Sequence, residues 1–300
     1  MILIVSKNNE ITTTEIIKWL LSMRKKFVRV DEDELFEIKM LNGKIILQSE
    51  RNNFFLDDIT SVWYRRGGIK FKRFRYDNEA INTHMYEAQH WLEEYVLHLL
   101  EAKKHINKQT KAHVNKLLVL EAAKKAGLDV PNYFLSNTTQ DIRLGKTIVK
   151  SITGNVILQN LTENTDGIMY TAVVDKKNSD DFFISFFQEK IEKDFEIRTF
   201  YLEEKIWSIA IFSQKDQQTQ LDLRKYNTEN PNRNVRYLLP KSVEEKICKL
   251  MKELDLNCGS IDFIKSGDKF YFLEVNVVGQ FLSLSDTCNY SLDKEIADYL

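Results

Sequence analysis

The sequence predicts an α/β (α+β) chain arranged in three lobes. Three features carry that expectation: a βαβ opening, a long amphipathic helix near residue 90, and a second half in which short strands alternate with capped helices. The 300 residues are 43% hydrophobic and 11% aromatic, which is enough for one large domain or two to three ordinary ones and speaks against general disorder.

The opening reads as a strand over 2–5, a helix over 11–23 with Ile16, Ile17, Leu20 and Leu21 at helical spacing, and a strand over 27–30. The turn after the first strand is Ser6-Lys7-Asn8-Asn9-Glu10, with no G-x-G-x-x-G, so a dinucleotide such as NAD is disfavoured. Further strands are expected over Lys44–Gln48 and 59–64, the second running into Arg65-Arg66-Gly67-Gly68.

From Glu79 to about Lys104 apolar residues recur at Ile81, Met85, Ala88, Leu92, Tyr95 and Leu99, the pattern of a long amphipathic helix that closes the first domain or forms a subunit contact. A second helix over 115–126 has Asn115 as its N-cap, Gly127 just past its end and Pro131 beyond. Strands follow over Tyr133–Ser136, Thr147–Lys150, 156–159, 169–174, 183–191 and 196–201. Alternating stretches over 205–214 and 260–275 flank a helix over 243–254. The expected division is 1–110 with the long closing helix, a central lobe over 111–188 and a C-terminal lobe over 189–300.

Lys plus Arg number 43 against 44 Asp plus Glu, a formal charge of −1. No global basic field is present to recruit nucleic acid or an anionic membrane, so an anionic ligand must meet a local site. Cys248, Cys258 and Cys288 are odd in number and lack C-x-x-C spacing, which argues against a disulfide framework or structural zinc and fits a reducing cytoplasm. The N-terminus lacks a cationic region and a cleavage site, and no run reaches the roughly 18 apolar residues of a membrane span. A soluble, cytoplasmic protein is expected.

The strongest chemical signal is Gly259-Ser260-Ile261-Asp262-Phe263, a Gly267-Asp268 turn, and Tyr271-Phe272-Leu273-Glu274-Val275-Asn276. Two strands joined by this turn bring Asp262 opposite Glu274 and Asn276, whose i, i+2 spacing puts them on one face. A lone pair of acids on a hairpin ordinarily faces water, but here they interrupt apolar runs. Three hard oxygen donors suit Mg²⁺ held partly by substrate phosphates better than zinc or iron.

On these residues the chain resembles the ATP-grasp superfamily, whose last domain ends with this Asp and then Glu-x-Asn as magnesium ligands. The likeness spreads over most of the chain and implies a three-lobed ATP-grasp fold with an N-terminal βαβ pre-ATP-grasp domain. Asn115-Lys116-Leu117 and the helix after it resemble the segment whose lysine reaches nucleotide phosphates, and Ile148-Val149-Lys150 resembles the strand with the second nucleotide lysine. The stretch from Ser151 to Asn155 stands where the family has a small-residue phosphate loop. Gln188, Glu189, Lys190 and Ile191 match the hinge strand that reads adenine, and Glu196 has the spacing of a ribose-binding acid. The resemblance thus implies ATP and Mg²⁺ as cofactors, with lysines neutralising phosphate oxygens.

A forming acyl phosphate also needs cationic support. Members similar to D-alanine ligase keep an Arg two residues before the magnesium Asp, whereas this chain has Ser260 there, so Arg198 and Arg224 are the candidates. His84, His90, His98, His105 and His113 cluster on and after the long helix and read as structural or surface residues.

Within the superfamily the chain is most similar to the microviridin-type peptide macrocyclases (graspetide synthetases), and particularly to the maturases of grasp-with-spasm peptides. The likeness rests on Val62-Trp63-Tyr64-Arg65-Arg66, on 189–198, on Asp222-Leu223-Arg224, and on the tail from Glu274 to Phe281. It implies that Glu or Asp carboxylates of a ribosomal precursor peptide are activated as acyl phosphates and joined to Thr or Ser hydroxyls as ω-esters. It also implies a leader segment docking near Asp181 to Phe187 and Tyr201 to Phe212, with simple core packing of these stretches the equal alternative. A homodimer is expected as well. A carboxylate-amine ligase for an amino acid or small amine, and a nucleotide-binding protein without catalysis, are the other readings; the complete Asp262, Glu274, Asn276 set speaks against the second.

Overall fold

The computed structural model describes the chain apart from residues 141, 155–156, 163–164, 178–180 and 215–231. It separates into two compact units, Met1–Ala112 together with Ser291–Leu300, and His113–Tyr290.

The first unit is built on the βαβ opening. β1 (Ile2–Ser6), α1 (Ile11–Ser22) and β2 (Phe27–Asp31) are followed by a hairpin of β3 (Leu35–Leu41) and β4 (Lys44–Gln48), then β5 (Asn53–Phe55), β6 (Ser61–Tyr64), β7 (Lys70–Phe71), α2 (Glu79–Glu101) and β8 (Lys104–Ile106). β2, β1, β6 and β8 form one parallel sheet in that order. All five residues of β1 are buried, as a parallel strand covered on both faces requires. Its Leu3 and Val5 pack with Val30, Phe36, Leu47, Val62, Val96 and Leu100.

A C-terminal helix over Leu292–Tyr299, which none of the expected elements covers, belongs to this unit. Trp19 Nε1 donates to Asp293 Oδ2 at 2.6 Å, Lys25 Nζ to the Ala297 carbonyl at 2.8 Å, and Ser61 Oγ to the Leu300 carbonyl at 3.0 Å.

The long helix departs from the expected stripe. Asn78 caps it by accepting from the Ile81 N–H at 3.2 Å, but only the last turns meet the core, through Val96 and Leu100. Ile81, Leu92 and Tyr95 are exposed, as are Tyr86 and Trp91. Among the described residues no helix is long and apolar enough to cross a membrane.

The second unit opens with α3 (Lys116–Ala126). Asn115 Oδ1 accepts from the Leu117 N–H at 3.0 Å, and Gly127 takes the left-handed conformation at φ +87° that ends the helix, both as expected. β9 (Tyr133–Ser136), β10 (Thr147–Lys150), the hairpin β11 (Ile157–Thr162) and β12 (Thr165–Ile168), β13 (Ala172–Val173) and β14 (Ser185–Glu189) follow. β13, β10, β14 and β9 form a small antiparallel sheet in that order. The strand expected over 169–174 is thus only Ala172–Val173, and residue 156 of the strand expected over 156–159 lies outside the described residues.

The larger sheet contains β15 (Phe195–Leu202), β16 (Lys205–Phe212), β17 (Arg233–Tyr237), β18 (Cys258–Ser266) and β19 (Lys269–Asn276), with α4 (Lys241–Glu253) before β18 and α5 (Leu282–Cys288) after β19. Its order is β17-β16-β15-β18-β19, antiparallel throughout. One face, with Ile197, Ile261, Phe263, Phe272 and Val275, packs on Val119, Leu120 and Ala123 of α3 and on Ile247, Leu250 and Met251 of α4. Burying each large apolar side chain there contributes about 2 kcal/mol. The opposite face is left for chemistry.

Candidate nucleotide and metal site

On β15, β18 and β19 three polar residues stand in one row. Arg198 pairs with Asp262 across β15 and β18, and Asp262 pairs with Glu274 across β18 and β19. Directly opposed residues of antiparallel strands share a face, so the register alone brings the three together. Asn276 lies opposite Ser260, two residues further along the same face.

A bulge makes this possible. The register shifts between Asp262 and Phe263, so that Phe263 opposes Phe272 and Leu273 is the additional residue. Without it Phe272 and Glu274, two apart, would point the same way. With it Phe272 enters the core, edge-on to Phe263 at 5.8 Å between ring centroids, while Glu274 keeps the polar face. Acids set inside apolar runs are the sequence trace of that bulge.

Arg198 grips Asp262 with two hydrogen bonds, Nε to Oδ1 at 2.8 Å and Nη2 to Oδ2 at 2.9 Å. The negative charge of Asp262 is the main cause that raises the Arg198 pKa above its ordinary value. Lys116, the first residue of α3, places Nζ 3.1 Å from Glu274 Oε2 and donates to the Ser151 carbonyl at 3.1 Å. One lysine thus joins the start of α3, the segment after β10 and the end of β19.

Glu196 stands two residues before Arg198 on β15. Its partner is Lys193, which donates to Glu196 Oε1 from a side chain only 7% exposed. Burial raises the Glu196 pKa, and the Lys193 charge partly offsets the rise. Lys193 was not singled out from the sequence; a lysine three residues before an acid is too common a pattern to mark it.

Lys150 ends β10 and pairs with Phe186 of β14. Gln188 is buried in β14 between Ile148 and Tyr133. Glu189 accepts from Asn132 twice, from its N–H at 3.1 Å and its Nδ2 at 3.0 Å. The Lys190 N–H donates to the Lys146 carbonyl at 2.8 Å, and Ile191 begins the link to β15. Arg224 and Asn155 lie outside the described residues.

Of the two stretches expected to meet a leader peptide, the first exposes Phe183 and Ile184 while burying Phe186 and Phe187. The second forms the end of β15, the turn after it and all of β16, with Tyr201, Leu202, Ile209, Ala210 and Ile211 in the core and Glu203, Glu204, Lys205 and Phe212 exposed.

Asp262, Glu274 and Asn276 offer hard oxygen donors and no sulfur or imidazole, so the set fits a magnesium ion. Among the described residues no three His, Cys, Asp or Glu side chains gather to hold a metal ion, so the Asn276 amide and nucleotide phosphates would complete the shell.

No protein-family model matches the sequence, and no curated protein does. Solved structures do. The macrocyclase MdnC from Microcystis aeruginosa, bound with precursor peptide MdnA, matches with a TM-score of 0.75 and 26% identity, over 100% of this chain and 99% of that one. The chain has the ATP-grasp fold of an ATP-dependent ligase and is similar over its full length to a peptide macrocyclase. The ligase also shares its fold with a RiPP-associated ATP-grasp ligase from Chryseobacterium gregarium in complex with ADP and a leader and core peptide, with a TM-score of 0.79 and 23% identity over 100% and 96% of the two chains. A third is PsnB complexed with minimal precursor, Mg and ADP, with a TM-score of 0.67 and 15% identity over 99% and 96%.

Proposed function

We propose that the ligase activates Glu or Asp side-chain carboxylates of a ribosomally made precursor peptide as acyl phosphates and links them to Thr or Ser hydroxyls of the same peptide as ω-esters. The observation that carries this reading is the full-length likeness to a peptide-bound macrocyclase, joined to the Arg198, Asp262, Glu274 row on one sheet face.

In this reading Lys116 and Lys150 hold nucleotide phosphates. The main chain from Gln188 to Ile191 reads the adenine edge, and Glu196 meets the ribose. Asp262, Glu274 and Asn276 bind Mg²⁺, which when bound screens the phosphate charge. Arg198 and Arg224 support the transferring phosphoryl group. A peptide carboxylate oxygen attacks the γ-phosphorus and ADP leaves; a hydroxyl then attacks the acyl carbon, its proton is lost, and phosphate leaves. The protein's share is to position both side chains and exclude water. The central lobe is taken as 111–188 and the C-terminal lobe as 189–300.

The peptide partner is supported by the exposed Phe183 and Ile184, which offer a leader an apolar contact beside β14. A homodimer is supported by the exposed apolar side chains Ile81, Leu92 and Tyr95 along α2, more than a solvated helix needs. The test is to incubate the purified ligase with ATP, Mg²⁺ and the precursor encoded beside it, and then to treat the product with mild base. Ester rings regain water and reopen, whereas rings that survive base are amides and reject the ester assignment.

A further inference from the structure

Three acids on one face of the larger sheet each carry a basic partner from the chain itself: Asp262 has Arg198, Glu274 has Lys116 and Glu196 has Lys193. Three negative and three positive charges cancel. A divalent cation arriving alone would meet carboxylates that are already neutralised, in a setting where side chains are largely screened from water and the pairs are correspondingly firm.

Arg198 differs from the two lysines. It faces Asp262 directly across adjacent strands, so the backbone register holds the pair together. Its planar fork engages both carboxylate oxygens, and a guanidinium does not lose its charge at any working pH. Lys116 makes one contact to Glu274 through a flexible stem and is also committed to the Ser151 carbonyl.

We propose that Arg198 is the specificity-determining residue that makes metal entry depend on nucleotide: by neutralising Asp262 it denies the site to a divalent cation alone and admits the cation together with phosphate. The phosphates supply the negative charge that the paired carboxylates lack, and they give the Arg198 guanidinium a second anion to face. The inference rests on the reading of Asp262, Glu274 and Asn276 as cation ligands. Its functional sense is that the ligase takes up a metal–nucleotide complex as one unit.

The test uses the full-length protein and Mn²⁺ as the probe, with bound metal measured by equilibrium dialysis with and without saturating ADP. Wild type is expected to hold Mn²⁺ at least about tenfold more weakly without ADP than with it, and Arg198→Gln to hold Mn²⁺ alone about tenfold more tightly than wild type. A merely structural loss would loosen the site, never tighten it. An Arg198→Gln protein whose Mn²⁺ affinity without ADP is unchanged or weaker overturns the proposal while leaving the metal site standing. If that variant does not fold, wild type decides, because equal Mn²⁺ affinity with and without ADP is equally fatal to it. Failure of wild type to hold Mn²⁺ under both conditions removes the metal-site reading and this inference together.

Discussion

Arg198 and Asp262 face each other on neighbouring antiparallel strands and share two nearly equal hydrogen bonds, at 2.8 and 2.9 Å. Asp262 is in turn opposite Glu274, so an arginine and two acids span three strands in a single row. Each expected outcome at the site follows from that row.

Asp262→Asn and Glu274→Gln should each lower turnover by about a hundredfold or more, because a neutral amide cannot offset cation charge. Circular dichroism should show the fold retained, since both side chains lie on the polar face and the Phe263–Phe272 packing is behind them. Steady-state ADP release measures the first effect, and wild-type rates in either variant would remove these acids from the site.

Lys116→Ala and Lys150→Ala should weaken ATP binding by about tenfold or more while leaving leader binding unchanged. Lys116→Ala also takes the partner from Glu274 and the donor from the Ser151 carbonyl, so of the two it should disturb the site further. Calorimetry with ATP and with a leader peptide separates the two ligands. Unchanged ATP affinity in both variants would dissociate these lysines from the nucleotide.

In the first unit Arg65 Nη2 donates to Glu10 Oε1 at 3.0 Å and to Thr12 Oγ1 at 3.1 Å, while Glu10 Oε2 accepts from the Thr13 N–H at 2.7 Å. Burial alone would raise the Glu10 pKa; the hydrogen bond and charge of Arg65, with the Thr13 contacts, more than offset this and hold it below the ordinary carboxylate value. A folded pKa below the unfolded one means that the stabilisation is complete above the unfolded value and is lost as pH falls through the folded one. Glu10→Gln should therefore cost about 3 kcal/mol at neutral pH and clearly less in acid, below the carboxylate range. Urea unfolding at the two pH values checks this, and a difference that does not change with pH would contradict it.

Trp91→Glu on the exposed side of α2 should leave the unfolding midpoint within about 0.5 kcal/mol of wild type, because the residue is outside the core. It should convert the proposed dimer to monomer in analytical ultracentrifugation, since a charge in an apolar contact is left unpaired. Wild type sedimenting as a monomer would reject the dimer.

Much of this fold is written locally. Hydrophobic period marks β1, α1 and β2, and cap chemistry marks both ends of α3 through Asn115 and Gly127. The acids at Asp262 and Glu274 show themselves by interrupting apolar strands. What escaped depends on long-range partners. β3 alternates poorly, and the Asn42-Gly43 turn that joins it to β4 was its readable signal. The C-terminal helix returns to α1 across almost the whole chain, and nothing near it in sequence announces that. The α2 stripe misled because period reports which residues share a face, not what covers it: Ile81 and Leu92 face outward while Val96 and Leu100 make the core. The two basic partners, Arg198 on Asp262 and Lys116 on Glu274, are fixed by register and by the start of α3, and neither can be read from spacing.

The central claim, that ATP is spent to join two side chains of one peptide, is tested most directly by mass spectrometry of the neighbouring precursor after incubation with the ligase, ATP and Mg²⁺, with ADP counted in the same reaction. The expected result is the loss of one water for each ADP formed, with one loss abolished when a core Glu is changed to Gln. A peptide that gains the mass of an amino acid, or ADP that forms only when a free amino acid is present, would contradict macrocyclisation.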